Sequence, residues 1–260
     1  MNFNSYLIES VSPEVFGSKH LVGSLIISLL ITILLVLLLK AFKTVKRERV
    51  LKITAVFLLC LEVTKYTYTV IQDGSFPVYY IPMQLCSFSL YLMPLVAFGK
   101  GKLRAFFEPT CFSVGLLAGL IVLLYPATVL GGDYDWLPLS ENIIQIISFV
   151  YHGTMIFFSL YLLMSKTYHP EIKDYARCYV TLVVFAGMAM ITNAIFDTDM
   201  MFLNTGSGSP FQFVLLDYGR ATYMIFMAVI AAVLLFLPFI PSFVSNYVTA
   251  LKKKKTTESI

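Results

Sequence analysis

Two side chains in an otherwise apolar chain have the types required for nucleophilic acyl chemistry: Cys86, in "YYIPMQLCSFSLYLMP", and His152, in "FVYHGT". A thiol attacks as its thiolate, and apolar surroundings oppose that ionisation. It therefore needs a base. Histidine can take the proton near neutral pH and return it to a leaving group, so the pair supports transfer through an acyl thioester. Other polar residues extend the pattern. Glu62, Lys65, Tyr66, Thr69 and Asp73 recur at helical spacing along one face, where Glu62 and Lys65 can pair. Glu141, Gln145, Ser148 and His152 make a second stripe, continued by Ser159. Each group also has a plainer use: the thiol as a small buried hydrophobe, the imidazole as an interhelical hydrogen bonder, the ion pair as a staple.

The elements that must position these groups are membrane helices. The chain has 260 residues, of which 58% are hydrophobic and 13% charged. Its mean hydropathy is +0.80, far from soluble averages. Apolar windows near the length of a bilayer crossing recur almost throughout, which predicts an all-α, polytopic membrane helical bundle. Seven transmembrane helices are expected, at 21–40, 50–72, 78–98, 105–125, 142–164, 177–199 and 219–240. Residues 1–20 form an outer N-terminal segment, 21–240 the transmembrane domain and 241–260 a basic tail. No stretch between spans is long enough for a separate soluble domain.

Basic residues set the orientation, because short flanks rich in Lys and Arg stay on the cytoplasmic side. Four alternate segments, "KAFKTVKRERV" with Lys52, "GKGKLR", "SKTYHPEIKDYAR" and "LKKKK", hold 16 of the 19 Lys and Arg residues. The intervening "DGSFP", "GGDYDWLPLSEN" and "DTDMMFLNTGSGSPFQFVLLDYG" hold none. The N-terminus is thus expected outside and the C-terminus in the cytoplasm, in a multi-pass protein of the cell membrane. Span one has no basic n-region or cleavage motif and reads as a retained anchor. "LKKKK" reads as a topology determinant favouring an anionic leaflet rather than as a nucleic-acid tail. Four Cys without CxxC spacing predict no disulfides.

On this topology Cys86 and His152 both lie roughly 12 to 15 Å below the outer boundary. Asn193 and Asp197 lie in the outer part of span six, and Asp217 and Arg220 open span seven on the same side. Polar residues at membrane depth normally face protein or water, so their convergence marks a cavity in the outer half. Phospholipid esters would be the acyl donors there, and a lysophospholipid hydroxyl or water would resolve the thioester. Arg220 or Lys65 could hold a phosphate, and Gln84, Asn193 or a backbone N–H could stabilise the oxyanion. His20, His152 and His169 lack metal-ligand spacing, no HExxH occurs and "GSGS" is no Walker loop, so neither a metal nor a cofactor is expected. The alternative class is a small-solute transporter or ligand-sensing receptor with Glu62, Lys65 and Asp197 in its pocket. No convincing inverted repeat supports transport. A scaffolding role leaves the stripe in span five without a task.

"IPMQLCSFSLYLMP", "FFEPTCFSVGLLAGLIVLLYP", "FVYHGT" and "DTDMMFL", in that order, resemble the YwaF-like bacterial membrane proteins related to eukaryotic transmembrane protein 164. The resemblance covers about residues 50–240. It implies a glycerophospholipid acyltransferase whose catalytic Cys and His fall on Cys86 and His152. Androgen-induced intramembrane esterases, which use Thr with His, are similar in general plan, so hydrolysis is a second implied outcome. Where the bacterial pattern has "NYMFL", this chain reads "TDMMFL", with Asp199.

Overall fold

The structure is a computed structural model that describes residues 18–42, 44–76, 78–124, 139–207, 209–244 and 247, with Ser18, Leu139, Ser140 and Glu141 described only in their backbone. Among these residues every regular element is helical. The elements are α1 (Ser18–Val36, continued by a π-helical turn, Leu37–Ala41), α2 (Arg47–Asp73), α3 (Ser89–Phe98), α4 (Gly101–Leu124), α5 (Leu139–Met164), α6 (Asp174–Phe196) and α7 (Gln212–Phe236). Short 3₁₀ turns at Val78–Tyr80, Cys86–Phe88, Met200–Phe202 and Leu237–Phe239 complete them.

Five helical stretches are long and apolar enough to cross a membrane: Lys19–Ala41, Gly101–Leu124, Asn142–Met164, Asp174–Phe196 and Gln212–Val244. The chain is an integral membrane protein. Helix α2 is longer than most of these, at 27 residues, but Lys52, Glu62 and Lys65 interrupt its apolar run. The helix expected over 78–98 forms only over Cys86–Phe98. Pro82 explains the difference, since it has no N–H to donate and disfavours helical backbone in the residue before it. Helix α7 starts seven residues before the expected 219, and its path breaks at Gly219, where φ is 79°. Glycine alone adopts that conformation without strain.

Helices α4 and α5 share the largest interface and are mostly buried, whereas α1, α6 and α7 bury little of their surface and face lipid. Small residues allow the central contact. A Cβ placed on Gly115 would lie 2.5 Å from Ser159 Oγ, and one on Gly119 would lie 2.9 Å from the His152 carbonyl oxygen. Two backbones can approach this closely only where side chains are missing. Around the seam pack Phe112, Phe149, Met155, Phe158 and Tyr161, all almost fully buried. Helix α1 packs against α5, with Ile27 against Gly153. It is also tied to the end of α4, where His20 Nε2 donates to the Leu123 carbonyl at 2.7 Å.

The basic end of the bundle is held by charge. Arg104 donates to both Glu48 oxygens at 2.7 and 2.8 Å and to Glu108 at 2.7 Å, joining α2 to α4. In the turn before α6, Asp174 accepts the Tyr168 hydroxyl at 2.9 Å and the Glu171 N–H at 3.0 Å while pairing with Arg177 at 3.2 Å. Burial and the neighbouring Asp174 carboxylate push the Tyr168 hydroxyl well above the ordinary tyrosine range.

Candidate functional site

The candidate site forms where the apolar stretch 78–98 is only partly helical. Residues 81–85 are irregular, and Cys86 opens the helical segment that runs to Phe98. Non-helical backbone at membrane depth persists only where protein or a wet cavity satisfies its polar groups. Here side chains from two helices help to do so. The Tyr66 hydroxyl of α2 donates to the Tyr80 carbonyl, and the Tyr151 hydroxyl of α5 donates to the Cys86 carbonyl at 3.5 Å. From the loop after α6, the Met201 N–H donates to Gln84 Oε1 at 2.8 Å.

The Cys86 residue is half-buried, and its thiol lies within hydrogen-bonding reach of the Ser87 side chain. It opens a 3₁₀ turn whose Ser87 and Phe88 N–H groups already donate to the Gln84 and Leu85 carbonyls at 2.9 and 3.4 Å. His152 is 3% exposed. Its Nδ1 lies 2.7 Å from the Ser148 carbonyl oxygen. A carbonyl can only accept, so Nδ1 carries the proton and the neutral ring keeps its lone pair on Nε2. That nitrogen is buried and has no hydrogen-bond partner among the described residues. No hydrogen bond joins His152 to the Cys86 thiol among the described residues; their elements are linked through Tyr151, next to His152, whose hydroxyl reaches the Cys86 carbonyl.

Glu62 and Lys65 pair at 2.7 Å, and the Lys65 ammonium also lies over the rings of Tyr66 and Tyr80, 5.3 and 4.9 Å from their centroids. This cation is not a mobile surface charge. Its field reaches both Cys86 and His152, and that of Glu62 reaches Cys86 and Tyr151. The two charges therefore belong to the same microenvironment as the thiol and the imidazole. Gln145 and Ser148 are half-buried on the His152 face of α5, and Gln145 Oε1 is buried without a partner among the described residues. The Glu141 side chain lies outside the described residues. Ser159 belongs to the α4–α5 contact instead, where its hydroxyl reaches the Cys111 carbonyl at 3.4 Å.

The remaining sequence candidates occupy other surroundings. Asn193 is buried and clamps the turn after α6: its Oδ1 accepts the Met200 N–H at 2.6 Å and the Thr198 hydroxyl at 2.9 Å, and its Nδ2 donates to the Met200 carbonyl at 3.1 Å. Asp197 ends α6 in a left-handed conformation and is exposed, as is Arg220 just past the Gly219 break. Among the described residues neither is linked to Cys86 or His152 by a hydrogen bond or ion pair. Sequence reasoning missed Asp199, whose carboxylate accepts the N–H groups of Asn204, Thr205 and Ser207 and the Thr205 hydroxyl, knotting the loop that holds Gln84. It also missed Tyr151, although that residue stands beside the histidine in "FVYHGT".

The model of the TMEM164 family matches residues 15–239. No curated protein matches the chain, and no solved structure does.

Proposed function

The chain belongs to the TMEM164 family, and from that premise we propose that it is an intramembrane lipid acyltransferase or acyl hydrolase, with Cys86 as nucleophile and His152 as its base. The proposed topology has seven crossings, α1 to α7, with the N-terminus outside, the C-terminus cytoplasmic and the site open to the outer leaflet. Phospholipids supply the acyl group, and lysophospholipids or water accept it.

One observation carries the reading: an imidazole locked by Ser148 into the tautomer that offers Nε2, with that nitrogen buried and unpartnered on the helix whose Tyr151 meets the Cys86 turn. A histidine used only to join helices would have both nitrogens engaged. In the proposed reaction Nε2 takes the thiol proton, sulfur attacks the ester carbonyl and the alcohol leaves with that proton. Thiol and imidazole share no hydrogen bond among the described residues, and in this reading the bond forms in the substrate complex, where catalytic hydrogen bonds often tighten. In this reading Lys65 supplies the positive charge that steadies the developing oxyanion. A transport or sensing role would instead use Glu62, Lys65 and Asp197 as ligand contacts; Glu62 and Lys65 already satisfy each other and Asp197 is exposed, which favours the acyl reading.

The test is covalent capture of the full-length protein by a thiol-reactive acyl mimic, read by mass spectrometry. Labelling at Cys86 is expected, lost in Cys86→Ser and slowed roughly a hundredfold in His152→Ala, the lower end of general-base contributions. Labelling of folded His152→Ala at the unaltered rate would overturn the pair.

A further inference from the structure

Polar side chains in this bundle commonly return their hydrogen to the carbonyl one turn back, as do Thr54, Thr69, Thr154 and Thr181. Two buried atoms on α5 depart from that habit. Gln145 Oε1 and His152 Nε2 have no partner among the described residues. Seven residues apart, they point within about 20° of one another around the helix and lie about 10 Å apart along it. Ser148 stands between them on the same face. Both orphan atoms offer lone pairs: the amide oxygen by its nature, and Nε2 because Nδ1 holds the ring proton.

A column of acceptors calls for a ligand that brings donors. A neutral hydroxyl, which donates without carrying a charge into the buried site, meets that demand. We infer that Gln145 is a positioning and specificity residue for the second half-reaction, accepting a hydrogen bond from one hydroxyl of an alcohol while another reaches His152. A lysophospholipid has one free glycerol hydroxyl and makes both contacts only where its headgroup brings a second hydroxyl, so the alcohols favoured are those with two, such as a monoacylglycerol or a lysophospholipid with a polyol headgroup; a single water cannot span the column. This inference rests on the Cys86/His152 reading and adds the group that selects the alcohol over water.

The step balances. His152 Nε2 takes the hydroxyl proton as the oxygen attacks the thioester carbonyl carbon, forming a C–O bond. Collapse breaks the C–S bond, and the departing Cys86 sulfur recovers the proton from Nε2. The products are an ester and the free thiol; with water in place of alcohol they are a fatty acid and the free thiol.

The experiment uses the full chain in phosphatidylcholine vesicles, with p-nitrophenyl decanoate as acyl donor and monooleoylglycerol as alcohol. The reading is the ratio of diacylglycerol to free decanoic acid. Once the uncatalysed hydrolysis of the p-nitrophenyl ester, measured in protein-free vesicles, is subtracted, both products drain the same acyl-enzyme, so loss of folded protein lowers both and leaves their ratio unmoved. Gln145→Met is expected to lower the ratio about tenfold, the scale of one lost hydrogen bond. Gln145→Glu, which keeps an acceptor oxygen, should retain most of it. An unchanged ratio in Gln145→Met, or an equal fall in both variants, overturns this inference and leaves the nucleophile assignment standing. Diacylglycerol formation that persists in Cys86→Ala at the wild-type rate overturns both.

Discussion

Gln84 and Met201, far apart in sequence, are joined by a 2.8 Å hydrogen bond from the Met201 N–H to the Gln84 amide oxygen. The bond ties the irregular stretch before Cys86 to the loop after α6, and Asn193 and Asp199 in turn make that loop rigid. The polar residue that looked out of place in an apolar run is thus engaged in holding backbone that Pro82 keeps out of a helix. Gln84→Leu should remove the anchor at a cost of about 1–3 kcal/mol, because it strands the Met201 N–H. A thermal melt in detergent should show the loss, and Gln84→Glu, which can still accept, should recover most of it.

The central seam makes a contrasting prediction for two glycines one turn apart. A methyl on Gly119 would meet the His152 carbonyl at 2.9 Å, and backbone cannot rotate away. On Gly115 the nearest atom, at 2.5 Å, is the Ser159 hydroxyl, which can. Gly119→Ala should therefore destabilise by about 1–3 kcal/mol, the usual range for overpacking, and should slow Cys86 labelling by displacing the base. Gly115→Ala should be milder, and Ser159→Ala beside it should relieve most of the effect. Unfolding temperatures of the two single variants and the double variant decide the matter.

Helix existence was largely legible from composition, because a long apolar run in lipid has only one way to satisfy its backbone. Legible too were the Gly115/Gly119 contact and the Glu62–Lys65 pair, since both depend on spacing within a helix. What escaped depends on pairings between distant segments. Apolarity alone gave 78–98 the look of an ordinary span; Pro82 marks the break in sequence, but the bonds that hold it, from Tyr66 and Tyr151 to its backbone and from Met201 to the Gln84 side chain, emerge only in the fold. Asn193 looked like a site residue by depth, yet its amide is complementary to the backbone of Met200. No periodicity encodes that match. The orphan state of His152 Nε2 is equally invisible in sequence, because it depends on what every neighbouring element leaves unoffered.

The turn before α6 gives a pH prediction. Tyr168 donates to the buried Asp174 carboxylate at 2.9 Å, and burial together with that charge raises the tyrosine above its ordinary value. A raised folded value means that the stabilisation is complete below the unfolded tyrosine value near 10 and declines as pH rises past it. Tyr168→Phe should cost about 1.5–3 kcal/mol at neutral pH, as expected for a hydrogen bond to a charged group. The gap in unfolding temperature between wild type and variant should hold from about pH 7 to 9 and narrow toward pH 11.

The short third helix makes the sharpest test of topology. Cys86–Phe98 is 13 residues by its end points, about 20 Å of helix, less than the roughly 30 Å hydrocarbon layer. It either crosses with the help of residues 78–85 or dips in and returns. Two contacts favour crossing. The Lys52 ammonium near the start of α2 lies 5.5 Å from the Phe98 ring centroid, whereas the Tyr66 hydroxyl, much nearer the other end of α2, meets the Tyr80 carbonyl. Residues 80–98 thus run antiparallel to the Lys52–Tyr66 part of α2, and residues 74 and 100 lie at opposite ends. Single cysteines placed at Gly74 and Lys100, in a chain whose four native cysteines are replaced, should react with a membrane-impermeant maleimide from opposite sides: Gly74→Cys from outside intact cells, Lys100→Cys only after permeabilisation. Reaction of both from the same side would make residues 78–98 re-entrant and would require the orientation of every later helix to be reversed.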